Sequence, residues 1–388
     1  MVYYRHLQYL QFFLNGNPIR IGEKHMNSKH RAASFDFITF FLMLLLSACG
    51  LLFVFSATYS PEKPFSSFFI KQCIGICGGI IIYFLCLIPD YRNVMRWGSI
   101  AYFGVIALLI FTLTMGSIGM GAKRWINLLF FKLQPSELAK FLLPAYMINC
   151  LHMQKKTVIH SFTLFIPLLV MLGVSFILIL KQPDLGTALI VLFSGLILCW
   201  LAGLHKKFFL YGLLATFIMT PLMWSFVLRD YQKNRIIVFL GQGDQKKEGY
   251  QIEQASIAIG SGGLCGKGLF NGTQNRLRFL PESRTDFIFA VLCEELGLLG
   301  AIAILLCYLL LFFRSFLLIR TLKDLYAQLF ACGLLLPILL ATIINIGMVL
   351  GIMPIVGIPL PLMSYGLSNL WITIACLGGF QNIMLRCR

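Results

Sequence analysis

The sequence predicts an all-α integral membrane protein with about ten transmembrane helices. Three observations carry that expectation. Hydrophobic residues make up 59% of the 388 positions and charged residues only 12%, against about 25% charge in an ordinary soluble domain. The apolar residues come in long runs, many near the ~20 needed to cross a hydrocarbon core, without the short alternating segments of a β-barrel. The formal charge of +17 suits a chain facing anionic lipid and anionic substrates. The same composition excludes disordered, collagen-like and nucleic-acid-binding classes, so no nucleic-acid partner is expected.

The apolar runs lie near 36–58, 66–89, 97–116, 136–152, 161–180, 184–203, 207–228, 287–313, 325–349 and 364–385. With the N-terminus inside, the inner segments hold sixteen Lys and Arg, among them Arg31, Arg92, Arg96, Lys155, Lys207, Arg314, Lys323 and Arg386. The short outer connections hold only Lys63, Lys123, Arg124, Lys132 and Lys181. Both termini are therefore expected to be cytoplasmic. Residues 1–35 read as a cytoplasmic N-terminal segment with no signal-peptide pattern and with Met26 as an alternative start. Residues 36–388 read as a single membrane domain.

Residues 229–286 form one long extracytoplasmic loop between helices 7 and 8, with nine Lys/Arg and six Asp/Glu. A long loop in a compact domain is usually functional, and its apolar stretches IIVFL and QASIAIG argue against a mere spacer. The 12 cysteines read as packing residues, since most fall in or beside apolar runs and only Cys265 lies in the long loop. All six histidines fall on the inner side, so chemistry at the outer face has no histidine base.

Ionisable residues at or within the membrane are functional candidates by default. Asp286 leads them: it closes the run RFLPESRTD just before the eighth apolar run and lies at the outer face. Its carboxylate is open to two readings, an N-cap of the following helix or a reactive group. Burial would raise its pKa and the adjacent Arg284 would lower it. Glu294 and Glu295 lie two turns deeper and need partners, for which Lys140 and Lys181 are available. In GAKRWINLLFFKLQPSELAK, Lys123, Arg124 and Trp125 sit at the outer interface, where paired cations suit a phosphate group. Glu137 and Lys140 follow at i, i+3 and can pair with each other. The stretch 259–274 is glycine-rich but fits neither a P-loop nor a dinucleotide fingerprint. It reads as a mobile loop whose backbone donors, with Lys267 and Gln274, can meet an anion. The segment 351–369, with three prolines and three glycines, reads as irregular backbone lining a cavity or buried in protein.

These blocks resemble the SEDS family of cell-wall polymerases, the FtsW, RodA and SpoVE group, and most closely its RodA branch. The resemblance rests on KRWI with QPSELAK, KQPDLGTALI, DYQKNRI, GYQIEQASIAIGSGG, FLPESRTDFIFAVLCEELG, NIGM and GIPLPLMSYGLSN, in order across about residues 36–385. Two departures stand out: Arg284 replaces a His usual before the Thr-Asp pair, and Leu367 and Asn369 alter an SYGGSS-like run.

The resemblance implies a peptidoglycan glycosyltransferase in the bacterial cytoplasmic membrane that polymerises lipid II at the outer face. It implies Asp286 as general base and a class B penicillin-binding transpeptidase as partner, within elongation or division machinery. The residues themselves suggest Lys123, Arg124 and Lys267 as cations for the leaving pyrophosphate. No metal-ligand cluster is visible, so a divalent cation, Mg or Mn, would enter only on the pyrophosphate. Two other readings stand beside this one: a flippase for the lipid-linked precursor, and a non-catalytic scaffold for a transpeptidase.

Overall fold

The computed structural model describes residues 35–387, apart from 63, 120–121, 129–130, 154–161, 213, 215–223, 226–229, 241–248 and 278. The seventh apolar run and residues 1–34, with Met26, lie largely or wholly outside the described residues.

Nine of the expected spans appear as helices close to their sequence positions. They are α1 (Phe37–Thr58), α2 (Ser67–Leu85), α3 (Tyr91–Met115), α4 (Pro135–Met153), α5 (Ile166–Lys181) and α6 (Leu185–Leu201), then α10 (Ile288–Ile319), α11 (Leu325–Val349) and α12 (Leu367–Cys387). Six of these, α1, α2, α3, α10, α11 and α12, are long and apolar enough to cross a membrane, and α5 and α6 are shorter apolar helices. Their starts follow from capping chemistry. Asp36, Ser66, Asp90, Asp184 and Asp324 each place a side-chain oxygen on an orphan N–H of the first turn, which is the role such residues favour. The third span begins six residues earlier than the hydropathy suggests because Asp90 caps it at Tyr91.

One end of the bundle gathers the groups assigned to the cytoplasm. Arg314 pairs with Asp36 at 2.9 Å, Arg386 lies 3.8 Å from Asp90, and Tyr91 donates to Asp324 at 3.1 Å. The opposite end carries the connections read as external. There the structure adds an element the sequence did not signal. A small antiparallel sheet, β1 (Ser117–Gly119), β2 (Ala122–Leu128) and β3 (Phe131–Leu133), fills the connection between α3 and α4. Its strands are too short and mixed to show a period-2 pattern. The long loop is also structured, with α7 (Asp230–Phe239), α8 (Tyr250–Gly262) and the single turn α9 (Thr273–Arg276).

The irregular segment before α12 is buried or half-buried in protein from Ile355 to Ser364, as backbone polar groups at membrane depth require. Its carbonyls are met by side chains from three helices. Asn345 of α11 donates to Ile358 O at 2.7 Å, Gln72 of α2 donates to Ser364 O at 3.3 Å, and Tyr308 of α10 donates to Pro361 O. This segment forms the floor under the residues described next.

Candidate active site

Asp286 is the next-to-last residue of a run of turns at 281–287, and α10 starts at Ile288. The cap position of α10 is Phe287, and no side chain caps this helix. The carboxylate of Asp286 is therefore not used as an N-cap, which removes the structural reading of that residue.

The backbone beneath it is tightly held. Three consecutive carbonyls each accept from a different donor. Tyr365 N donates to Arg284 O at 2.9 Å, Ser364 Oγ to Thr285 O, and Asn345 Nδ2 to Asp286 O at 2.9 Å. Gly357, at φ +76°, completes the floor: a Cβ there would lie 3.5 Å from Asp286 Oδ2 and 3.9 Å from an Arg235 guanidinium nitrogen. The carboxylate and that guanidinium thus share the space above one glycine.

The electrostatics follow from this placement. Burial pushes the Asp286 carboxyl up, and the nearby Glu282 carboxylate adds to the rise. Arg235, Arg124 and a hydrogen bond with Thr285 oppose it, leaving the group at about 6. A carboxyl at that value is ionised at neutral pH yet basic enough to take a proton. The cations acting on it are Arg235 and Arg124, not the sequence neighbour Arg284 as expected. Arg284 turns away and lies 4.1 Å over the ring of Phe68.

Arg124 reaches the site from β2. One of its nitrogens is 3.8 Å from Asp184, and its Nε is buried without a hydrogen-bond partner among the described residues. Asp184 itself is buried and accepts from Gln134 Nε2 at 2.6 Å and from Thr187 N at 3.2 Å. The first turn of α6 and the start of α4 therefore fix where Arg124 can stand. Trp125, next on β2, is half-buried, and its carbonyl accepts from Ser117 Oγ at 2.9 Å. Lys123 lies on β2 opposite Ile118, and its side chain is outside the described residues.

Of the other candidates, Glu137, Lys140 and Lys267 have protein partners for their side chains, whereas Gln274 is engaged through its backbone and its Oε1 is buried with no hydrogen-bond partner among the described residues. Glu137 and Lys140 pair at 2.8 Å, both buried, and Asn369 donates to Glu137 at 3.0 Å. Lys140 and Asn369 line a small cavity with Pro337, Pro361 and Cys376. Lys267 donates to Glu294 Oε1 at 2.7 Å and to Thr273 Oγ1 at 2.7 Å. Gln274 donates its backbone N–H to the same glutamate oxygen at 3.0 Å. Glu294 thus takes Lys267, and Glu295 takes Ser56; neither uses Lys140 or Lys181 as expected.

The glycine-rich stretch is likewise not a free anion loop. Its donors are spent on a broken helix. Gly297 interrupts α10 at φ +65° and ψ −161°. The N–H groups of Lys267 and Gly268 donate to Glu294 O and Glu295 O at 3.0 Å each. In return Leu298 N and Leu299 N donate to Gly263 O and Leu264 O at 2.9 and 3.1 Å. Lys267 is accordingly expected to matter for stability and not for ligand affinity. Lys267→Met should lower stability by about 3 kcal/mol by leaving Glu294 buried without its cation. Thermal unfolding in detergent would measure it, alongside a KM that stays within about twofold of wild type.

Sequence reasoning missed Arg235, Glu282 and Asn345 as parts of this site; Asp184 stood among the candidate acids but was given no role. Arg235 stands inside the DYQKNRI block, where its presence on a polar helix of the outer loop was the available signal.

The fold and site define a multi-pass membrane protein with a half-buried carboxylate at one end of the bundle and guanidinium groups nearby. The chain belongs to the FtsW/RodA/SpoVE family, whose model, described as a cell cycle protein, matches residues 36–387. It is 40% identical to the peptidoglycan glycosyltransferase MrdB of Escherichia coli K12, covering 79% of this chain and 82% of that protein. It is 32% identical to the peptidoglycan glycosyltransferase RodA of Treponema pallidum, covering 91% and 98%. Among solved structures it resembles the Thermus thermophilus rod shape determining protein RodA, with a TM-score of 0.67 and 27% identity over 90% of this chain and 97% of that one. A second similar structure was described as "Structural coordination of polymerization and crosslinking by a peptidoglycan synthase complex", with a TM-score of 0.76 and 28% identity over 90% and 98%.

Proposed function

We propose that Asp286 is the general base of a peptidoglycan glycosyltransferase acting on lipid II at the outer membrane face. The enzyme class follows from the family and from relatives of that name at 40% and 32% identity across most of the chain. The observation that carries the residue assignment is a half-buried carboxyl raised to about 6, free of capping duty and acted on by the charges of Arg235 and Arg124.

In this reading the acceptor's GlcNAc 4-hydroxyl gives its proton to Asp286 while its oxygen bonds to the donor's anomeric carbon. The bond from that carbon to the pyrophosphate breaks, and undecaprenyl pyrophosphate leaves with the electron pair. Arg124 and Arg235 stabilise the charge that develops on the leaving group. A single carboxyl suffices because the leaving group is already activated and needs no protonation. The donor set beside Asp286 is cationic and suits the pyrophosphate directly. A divalent ion, Mg or Mn, would therefore travel with the pyrophosphate, and we assign it no protein ligands. The polymer produced is the substrate of a crosslinking partner, for which a class B penicillin-binding transpeptidase is the fitting class.

The test is the pH profile of polymerisation by purified protein supplied with lipid II. Asp286 accepts a proton only when ionised, so kcat/KM should fall about tenfold per pH unit below about 6 and level off above it. Glu282 raises the carboxyl and Arg235 lowers it. Glu282→Gln should therefore move the acid limb to lower pH, and Arg235→Gln should move it to higher pH. A profile with no acid limb, or one that neither variant moves, would overturn the assignment.

A further inference from the structure

We infer that Arg284 is a positioning residue for Asp286, acting through a closed ring of contacts with Phe68 and Tyr365. Arg284 lies two residues before Asp286 on the same turn, but its guanidinium carbon stands 4.1 Å over the Phe68 ring. That distance is well inside the range of an effective cation–π contact. Tyr365 meets the same Phe68 ring edge-on, with centroids 5.2 Å apart and an interplanar angle of 88°. The backbone N–H of Tyr365 then donates to the carbonyl of Arg284 at 2.9 Å. Side chain and main chain of Arg284 are thus tied to two aromatic residues that are tied to each other.

The ring is anchored from outside as well. Phe68 and Gln72 are i, i+4 on α2 and share one face, and Gln72 donates to Ser364 O, beside Tyr365. Ser364 in turn holds the carbonyl of Thr285. The first turns of α2 therefore set the height of the 284–286 segment through both partners of the ring. Nothing in this arrangement places the guanidinium on the carboxylate, so Arg284 acts on the position of Asp286 and not on its charge. A shift of about 1 Å in a reacting group can cost about 100-fold in rate, which gives such a clamp its leverage.

This inference rests on Asp286 as the base. The experiment compares Arg284→Gln, Phe68→Leu, Phe68→Tyr and the Arg284→Gln/Phe68→Leu double variant in lipid II polymerisation, with Asp286→Asn alongside and thermal midpoints for all. Arg284→Gln and Phe68→Leu should each lower kcat by about 10- to 100-fold with KM within about twofold. The double variant should be no slower than the worse single one, because either change opens the same ring. Phe68→Tyr keeps the ring face and should restore near wild-type kcat. The Tyr and Leu variants at position 68 carry the test on their own if Arg284→Gln does not fold. A raised KM at unchanged kcat in Arg284→Gln, multiplying effects in the double variant, or equal losses with Tyr and Leu would overturn the inference. Asp286→Asn that polymerises normally would sink the base reading instead. An inactive Asp286→Asn beside normal Arg284 and Phe68 variants would refute the ring alone.

Discussion

Asp286→Asn is expected to lose about 10²- to 10⁴-fold in polymerisation rate, the usual contribution of a positioned general base, while remaining folded. The substitution keeps the shape of the side chain and removes only its charge. Its backbone anchors from Asn345, Ser364 and Tyr365 do not involve the carboxylate, so the floor under it should persist. The folded protein should be at least as stable as wild type at neutral pH. Burial and the nearby Glu282 both disfavour the ionised form, and the neutral amide escapes both penalties. KM for lipid II should change little, because Arg124 and Arg235 remain to meet the pyrophosphate. Glycan strands resolved by length from purified protein would decide it. Strands formed at the wild-type rate by a folded Asp286→Asn protein would end the base assignment. Strands formed normally alongside lost lipid translocation would favour a flippase.

Gly297→Ala should be the most damaging single change outside the reactive groups. The backbone there, at φ +65° and ψ −161°, lies in a region essentially confined to glycine. An added Cβ would also stand 2.3 Å from Gly266 N and 2.6 Å from Leu264 O. These are backbone atoms that cannot swing aside. Relief requires the 263–268 stretch to lift off, which breaks the four exchanged hydrogen bonds between that stretch and α10. Strain and lost bonds together cost about 3–5 kcal/mol, a large share of the 5–15 kcal/mol typical of a folded domain. The thermal midpoint in detergent and the level of protein in membranes should both fall. Gly104→Ala on α3 is the matched control, because nothing lies within 4 Å of a Cβ added there. It should be neutral or slightly stabilising. Equal effects at the two positions would mean that the break in α10 is not a structural requirement.

Much of the architecture was legible because the bilayer leaves few choices. A run of ~20 apolar residues must be a helix, and Asp or Ser before such a run marks its start, as Asp36 and Ser66 do. Asp286 was legible for a related reason: a carboxylate on the threshold of a membrane helix is costly unless it has a task. The charges around it were not. Arg235 reaches Asp286 from a separate helix far upstream, and no local pattern encodes that approach. Arg284 misled by adjacency, since two residues along a turn its side chain points to α2. Lys267 and the glycines of 260–272 looked like ligand donors because their acceptors are invisible in sequence. Those acceptors are helix carbonyls freed only by the break at Gly297. The Glu137–Lys140 pair, by contrast, was readable from its i, i+3 spacing alone.

The interruption of α10 also bears on how the protein is made. A helix normally satisfies its own backbone as it leaves the translocation machinery, but this one cannot do so around Gly297. Its missing rungs come from residues 263–268, which the ribosome makes first and which must already have been exported. Maturation of the outer face therefore waits on a meeting between an earlier, exported stretch and a later, inserted one. Until they meet, carbonyls at the edge of the bilayer stay unpaired, and the turn that carries Asp286 leads into an unfinished helix. A chain in which the two have met has its outer face assembled.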